Sequence, residues 1–205
     1  MKKYLIDENG NVTDQDVNWY DDPAPPPDDE LEGDAAARLN DQAAASRTIW
    51  TSVTDWDTVS PPLRVEFVDT NVASLDPLLL PGDFNEDTST NQTDSTELIN
   101  YIRDVGYNGG VYAWETRDDT WKLGDIYHST PVVVTAPVFD LGYLEYSDFQ
   151  TAHATRAPVV ITGANDGMLH AFNDVNGVEE WAYIPKNCLE NLKSLGEINY
   201  TLMNR

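Results

Sequence analysis

Asp125, His128 and Ser129, in "KLGDIYHSTPVVV", are the side-chain types of a hydrolase. An acid, an imidazole and a hydroxyl relay a proton when each faces the next. His128 and Ser129 are adjacent, however, so in an extended segment their side chains diverge, and no Gly-x-Ser-x-Gly elbow occurs in the chain. A structural role suits them better. Asp125 is expected to accept backbone N–H bonds at a turn, and His128 and Ser129 to tie the start of a β-unit to its neighbour. His128, His153 and His170 lack a zinc-binding spacing such as His-x-x-x-His, so they read as satisfied structural histidines. Cys188 is the only cysteine, which excludes an intrachain disulfide and a thiolate cluster; in "NCLENL" it reads as a small buried residue.

Oxygen ligands are the other candidate chemistry. In "GDFNEDTSTNQTDSTE" (82–97), Asp83, Asn85, Asp87, Ser89 and Asn91 alternate and Asp94 stands twelfth in the count. Alternate side chains of a tight loop can point inward around Ca²⁺. Position six is Thr88 rather than Gly, and position twelve is Asp rather than a bidentate Glu. The competing expectation is a polar loop leading into a helix capped by Ser95 or Thr96, with Leu98, Ile99 and Ile102 as its apolar stripe. Asp7, Asn9 and Asn11 alternate too, but Gly10 falls at the fourth position of that run instead of the sixth, so "KKYLIDENGNVT" reads as a hairpin about Asn9-Gly10.

The elements that would position these residues become regular towards the C-terminal end. Residues 21–34, "DDPAPPPDDELEGD", are acidic and Pro-rich, a solvated linker. "AAARLNDQAAASR" (35–47) has helix-forming composition, and "RTIWTSV" returns to strand character. From Leu123 onward, strands are expected near 129–135, 158–163, 168–173 and 179–184, in one antiparallel sheet. Asn165-Asp166-Gly167 and Asn176-Gly177 supply two of the turns, Pro185 stops the last strand, and a long link over 136–156 joins the first two strands. Four short strands in succession describe a propeller blade, with Trp181 packing between neighbouring blades. "CLENLKSLGE" reads as a short helix. No second copy of the blade is evident, and one blade cannot bury both faces, so a truncated propeller is expected, and residues 120–205 taken alone should leave one sheet face open with Trp181, Phe172 and Leu169 partly exposed.

Composition narrows the partners. Across 205 residues, 12 Lys+Arg stand against 36 Asp+Glu, a net charge of −24. Nucleic acid and anionic membrane surfaces would be repelled. No run approaches the ~20 apolar residues of a transmembrane helix. "MKKYLIDENG" lacks the apolar core of a signal peptide.

Several motifs together resemble one family. They are Leu-Gly-Asp-Ile-x-His-Ser-x-Pro at 123–131, Gly-Ala-Asn-Asp-Gly-Met-Leu-His-Ala-Phe at 163–172 and Trp-Ala-Tyr-Ile-Pro at 181–185. They closely resemble the start of the C-terminal β-propeller of PilY1/PilC-type proteins, the type IV pilus biogenesis factors and tip adhesins. Gly124, Asp125, His128, Ser129, Pro131, Asn165, Asp166, Gly167 and Trp181 are the structural motif positions. Upstream, "SRTIWT" (46–51) looks like the family's Arg-x-Ile-x-Thr strand. "ELINYIRDVG" (97–106) looks like its Ile-Arg-Gly element, with Asp104 where Gly is usual.

The resemblance implies a mainly β fold: a partial, quinoprotein-like propeller with an irregular N-terminal region and short helices. Together with the reading of the residues, the resemblance, which covers roughly 46–195, divides the chain into a hairpin (1–20), an acidic Pro-rich linker and short helix (21–45), a pre-propeller segment with one helix (46–120) and the first blade or blades, truncated (121–205). It implies a non-enzymatic, extracellular or cell-surface protein working with minor pilins at the pilus tip and with a host or surface ligand. Calcium is a property of several members, at a loop expected outside this chain; within it, Asp83, Asn85, Asp87 and Asp94 remain the candidate ligands. Two alternatives stay open: a quinoprotein (PQQ-type) dehydrogenase-like propeller and an independent extracellular binding module.

Overall fold

A computed structural model describes residues 4–6, 12–16, 35–55, 57–58, 62–84, 88–104, 122–138, 142 and 144–196. Eight strands and four α-helices occur among them. Strands β1 (Tyr4–Ile6) and β2 (Val12–Asp16) pair antiparallel; the Asn9-Gly10 turn lies outside the described residues. The other six strands form one mixed sheet: β3 (Ile49–Ser52), β4 (Arg64–Glu66), β5 (Val132–Val134), β6 (Val159–Gly163), β7 (Leu169–Asn173) and β8 (Glu179–Ile184), in the spatial order β4-β3-β8-β7-β6-β5.

The four-stranded unit β5–β8 is antiparallel throughout, as the turn spacing predicts. Its tight turns are made by local bonds. Ala164 N donates to Met168 O at 3.0 Å across the first, where Gly167 takes φ +82°, a conformation that costs a side-chain-bearing residue energy. In the second, Gly177 N donates to Asn173 O at 2.9 Å, and the Asn173 carboxamide oxygen accepts from Val175 N at 2.9 Å. The link between β5 and β6 contains a helix, α4 (Leu144–Ala152), which the apolar periodicity does not announce.

Strand β3 adds to the blade from upstream. It runs parallel to β8, with Ile49 opposite Ala182 and Thr51 opposite Ile184, and it carries β4 antiparallel on its far side. Thr51 Oγ1 donates to Ile184 O at 2.8 Å, fixing that register.

Side chains alternate between the two faces of a sheet, and here the faces differ. One carries Ile49, Thr51, Ala182, Ile184, His170, Phe172, Val160 and Thr162, all buried. Helices α2 (Val72–Leu79) and α3 (Gln92–Arg103) and the 3₁₀ turns of Lys186–Gly196 cover it through Leu75, Leu79, Leu98, Ile99, Ile102, Leu189 and Leu192. Helix α1 (Ala35–Asp41) closes it over Phe172 with Ala35, Ala36, Leu39 and Leu123. Each leucine, isoleucine or phenylalanine side chain there contributes about 1.5–3 kcal/mol by leaving water. Phe172 is therefore fully buried in the 205-residue chain, because helices contributed by residues 35–103 cover the face it occupies. Leu169, on the opposite face, is exposed and Trp181 half-buried.

Helix α3 begins earlier than expected. Asn91 is its N-cap, accepting from Thr93 N at 2.8 Å, while the Asp94 carboxylate accepts from Asn91 N at 2.8 Å and completes a capping box. The Ser95 and Thr96 cap is thus corrected: Ser95 lies one turn inside, donating to the Asp76 carboxylate at 2.6 Å. An acid three residues after the cap satisfies a free backbone donor, and the reciprocal pair outcompetes later hydroxyls.

At its other end α3 stops on Asp104, with φ 65° and ψ 37°. A left-handed C-cap suits Gly, which explains the glycine of the Ile-Arg-Gly element. Asp104 occupies the conformation while placing its carboxylate 3.4 Å from Lys122 Nζ, which also donates to Asn40 O and Gln42 O. Asp104→Ala and Asp104→Gly both lose the ion pair and differ at the strained Cβ. Denaturant unfolding should find the Ala variant about 1 kcal/mol less stable than the Gly variant; equal stability would refute strain at this cap.

Candidate functional site

A buried chain of four charges crosses the fold. Arg47, just before β3, pairs bidentately with Glu179 at the start of β8, Nε to Oε2 at 2.9 Å and Nη2 to Oε1 at 3.1 Å. Glu179 Oε1 lies 2.7 Å from His170 Nδ1, and His170 Nε2 lies 3.0 Å from Asp166 Oδ2. Asp166 in turn accepts from Gly124 N at 2.9 Å and Met168 N at 3.0 Å. The ring of Phe172 stacks on His170, 5.7 Å between centroids and 10° from parallel.

Local backbone geometry places each member. The β7–β8 register shifts between Ala171 and Phe172, so that Ala171 faces Trp181 while Phe172 faces Glu179. This bulge turns Glu179 to the covered face and leaves Glu180 in solvent. Gly124 approaches the 165–166 backbone so closely that a Cβ there would stand 2.4 Å from Asp166 N. Its lack of a side chain lets the 123–125 segment reach the Asp166 carboxylate.

Both ring nitrogens of His170 face carboxylates, which only accept when ionised, so the imidazole carries two protons. Burial pushes His170 down, but the hydrogen bonds and charges of Asp166 and Glu179 outweigh it and hold it up at about 9. Burial likewise pushes Glu179 up, and bonds from His170 and Arg47 bring it down to about 2. Asp166 is lowered for similar reasons, against its own burial.

The raised histidine contributes stability that is complete below its unfolded value near 6.5 and is lost as pH rises through 9. The depressed Glu179 contributes stability that is complete above 4.5 and is lost as pH falls through 2. Melting temperature should therefore decline between pH 7 and 9.5, and His170→Gln should flatten that decline. A slope unchanged in the variant would remove His170 from the account.

The arrangement suits cross-linking more than catalysis. Both nitrogens of His170 are engaged by carboxylates, and it sits with no nucleophile in reach among its described partners. Asp125 lends its main-chain carbonyl, not its carboxylate, to the turn: Asn165 N donates to Asp125 O at 2.9 Å, because the near approach at Gly124 brings backbone against backbone. Ser129 Oγ accepts from Gly163 N at 2.8 Å and from Thr162 Oγ1 at 3.3 Å, tying the chain before β5 to β6. His128 is exposed and stacks edgewise on Tyr127, and Pro131 is exposed beside β5.

In the acidic loop, Asp94 is buried and accepts from Phe84 N as well as Asn91 N, and Asp83 accepts from Thr88 N at 3.0 Å. Asn85 and Asp87 lie outside the described residues. Among the described residues no group of three or more His, Cys, Asp or Glu is placed to hold a metal ion.

Arg47, Glu179 and the pairing role of His170 are not evident from motif spacing. The signal was a charged residue amid apolar strand residues, which burial forces to find partners. Arg103, at the end of α3, and Lys122, outside the strands, are also buried charges with partners. Arg103 donates to Phe67 O at 3.1 Å and to Ala44 O and Arg47 O at 2.9 Å.

An antiparallel four-stranded unit with one face covered and the other partly exposed fits a partial β-propeller. Residues 123–199 match the PilY1 beta-propeller domain. Those residues are similar to the propeller segment of PilY1-type proteins. The chain is 46% identical over 86 residues to the type IV pilus biogenesis factor PilY1 of Pseudomonas aeruginosa strain UCBPP-PA14, covering 38% of this chain and 7% of that protein. It is 36% identical over 113 residues to a PilY1 homolog of Xylella fastidiosa strain Temecula1, covering 52% of this chain and 9% of that protein. A further match to a PilY1 homolog of that strain is 36% identical over 132 residues, covering 58% and 9%. The chain thus spans less than a tenth of the length of these relatives. No solved structure matches it.

Proposed function

We propose that this chain carries the opening blade of a type IV pilus biogenesis factor, and that the blade acts as a docking scaffold without chemistry of its own. The observation that carries the reading is the coincidence of the propeller match at 123–199 with the blade β5–β8 and its motif turns. The reading places the protein at the bacterial cell surface, with minor pilins and the pilus tip as partners and adhesion to a host or surface ligand as a further role. It is supported by relatives described as type IV pilus biogenesis factors. The net charge of −24 fits it as well, since it disfavours nucleic acid. No helix among the described residues is long and apolar enough to cross a membrane.

The test is genetic. Deleting the codons for 123–199 in the source organism should abolish surface pili and twitching, and restoring them should return both. Normal piliation in the deletion strain would overturn the reading.

Calcium enters this proposal as an ion held elsewhere in such proteins. The 83–94 loop already uses Asp83 and Asp94 as acceptors for its own backbone. Calorimetric titration of the 205-residue chain with millimolar CaCl₂ should give flat heat, whereas heat saturating at one equivalent would assign the loop an ion.

A further inference from the structure

The two signs of charge are placed differently in this fold. Residues 35–196 carry 24 Asp and Glu against nine Lys and Arg. Among the described residues of that stretch nine acids are exposed, including Asp41, Asp57, Asp125, Asp148 and Glu190. One base is exposed, Arg64, and it lies over the Trp50 ring at 4.2 Å. The other described bases are at least partly buried. Four of them donate to main-chain carbonyls. Arg103 reaches three, Lys122 reaches Asn40 O and Gln42 O, Arg156 reaches Thr135 O and Lys193 reaches Leu80 O at 3.0 Å. Much of the positive charge thus stitches backbone together, and the acidic surface is left to the solvent.

This placement fixes the sign of a salt effect. Dissolved salt shortens the reach of an exposed charge from ~30 Å at 0.01 M to ~3 Å at 1 M. Repulsion among the exposed acids is then removed. The attractions that hold the fold survive, because bonds to neutral carbonyls depend little on ionic strength and the buried Arg47–Glu179 pair is screened less. The partly exposed Lys186–Asp55 pair weakens, but such surface pairs contribute little. We infer that this fold responds to salinity: mobile cations, held diffusely rather than at a coordination site, neutralise the acidic surface, and the chain opens as they are withdrawn. Opening relieves the repulsion by spreading the charges apart. Screening has no stoichiometry, so it is compatible with a flat calcium titration.

Urea unfolding of the 205-residue chain at pH 7 in 0.01, 0.1 and 1 M NaCl tests the inference. The midpoint should rise by about 1 M urea across that series. A second protein carries Asp41→Asn, Asp57→Asn, Asp125→Asn, Asp148→Asn and Glu190→Gln together, which removes exposed charge and leaves the cations in place. Its midpoint should exceed the parent's in 0.01 M NaCl, and that advantage should shrink about threefold in 1 M NaCl. A parent midpoint that ignores NaCl or falls with it overturns the inference. So does a variant with no advantage at low salt, or with one that salt leaves unchanged. MgCl₂ and CaCl₂ at equal concentration should raise the midpoint equally. An excess with calcium would assign a coordination site and overturn diffuse neutralisation. Piliation plays no part in these readouts, so they fail independently of the pilus reading.

Discussion

Glu179→Ala should destabilise the protein by about 3–5 kcal/mol, while Glu180→Ala, one residue away, should change stability by no more than about 0.5 kcal/mol. Glu179 lies between Arg47 and His170, all three buried. Its removal leaves two cationic groups facing each other with no anion between them. His170 can shed a proton and soften the loss, but Arg47 cannot. Glu180 is exposed and bonds only the Asn173 carboxamide among its described contacts. Equilibrium unfolding in urea measures both. If the two variants differ by less than 1 kcal/mol, the buried charge chain does not stabilise the fold as described. Replacing Arg47, Glu179, His170 and Asp166 together by apolar residues of matched volume is a different experiment, since removal of a complete buried network is often neutral. That variant separates the cost of breaking the network from its net contribution.

Arg103→Met should cost about 3 kcal/mol. The guanidinium of Arg103 satisfies three main-chain carbonyls, those of Phe67, Ala44 and Arg47, and so fastens α3 to the chain on either side of the β3–β4 hairpin. Methionine keeps most of the volume and removes every donor. The stranded carbonyls each carry a desolvation penalty of about 1–3 kcal/mol, reduced where water can reach them. Burial and the neighbouring Arg47 lower the pKa of Arg103, yet guanidinium remains charged at neutral pH. Arg103→Lys tests the planar fork: an ammonium cannot span three carbonyls in that geometry, and roughly half the loss should remain. A Met variant as stable as the parent would show that the carbonyls find water or other donors.

These two predictions concern residues whose roles were unequally legible. The Arg-x-Ile-x-Thr and Ile-Arg-Gly resemblances include Arg47 and Arg103 but single out neither and do not say what either touches. Their partners are 132 and 36 residues away in sequence, Glu179 for Arg47 and Phe67 for Arg103. No local pattern encodes such pairings. Glu179 was hidden for a more specific reason. Strict alternation along "EEWAYI" puts Glu180 on the face of Ala182 and Ile184, and the bulge opposite Phe172 reverses the two acids. Asp166 was visible as a turn residue because Asn-Asp-Gly marks a turn. That its carboxylate would reach Gly124 depends on the close approach of two segments 42 residues apart.

By itself the sequence determined the blade: four strands, their antiparallel order and the glycine turns follow from period-two apolar patterning and from residues that tolerate positive φ, all of which act within a few neighbours. It also determined the acidic, single-cysteine character that excludes an intrachain disulfide and disfavours nucleic acid. The tertiary structure alone decided that β3 joins the blade in parallel beside β8 and that helices from residues 35–103 seal one face and bury Phe172. It also decided that four charges line up through the interior. Each of these depends on which surfaces meet across long stretches of chain. The free energy of such contacts comes from area removed from water and from the pairing of buried charge, neither of which has a period in the sequence.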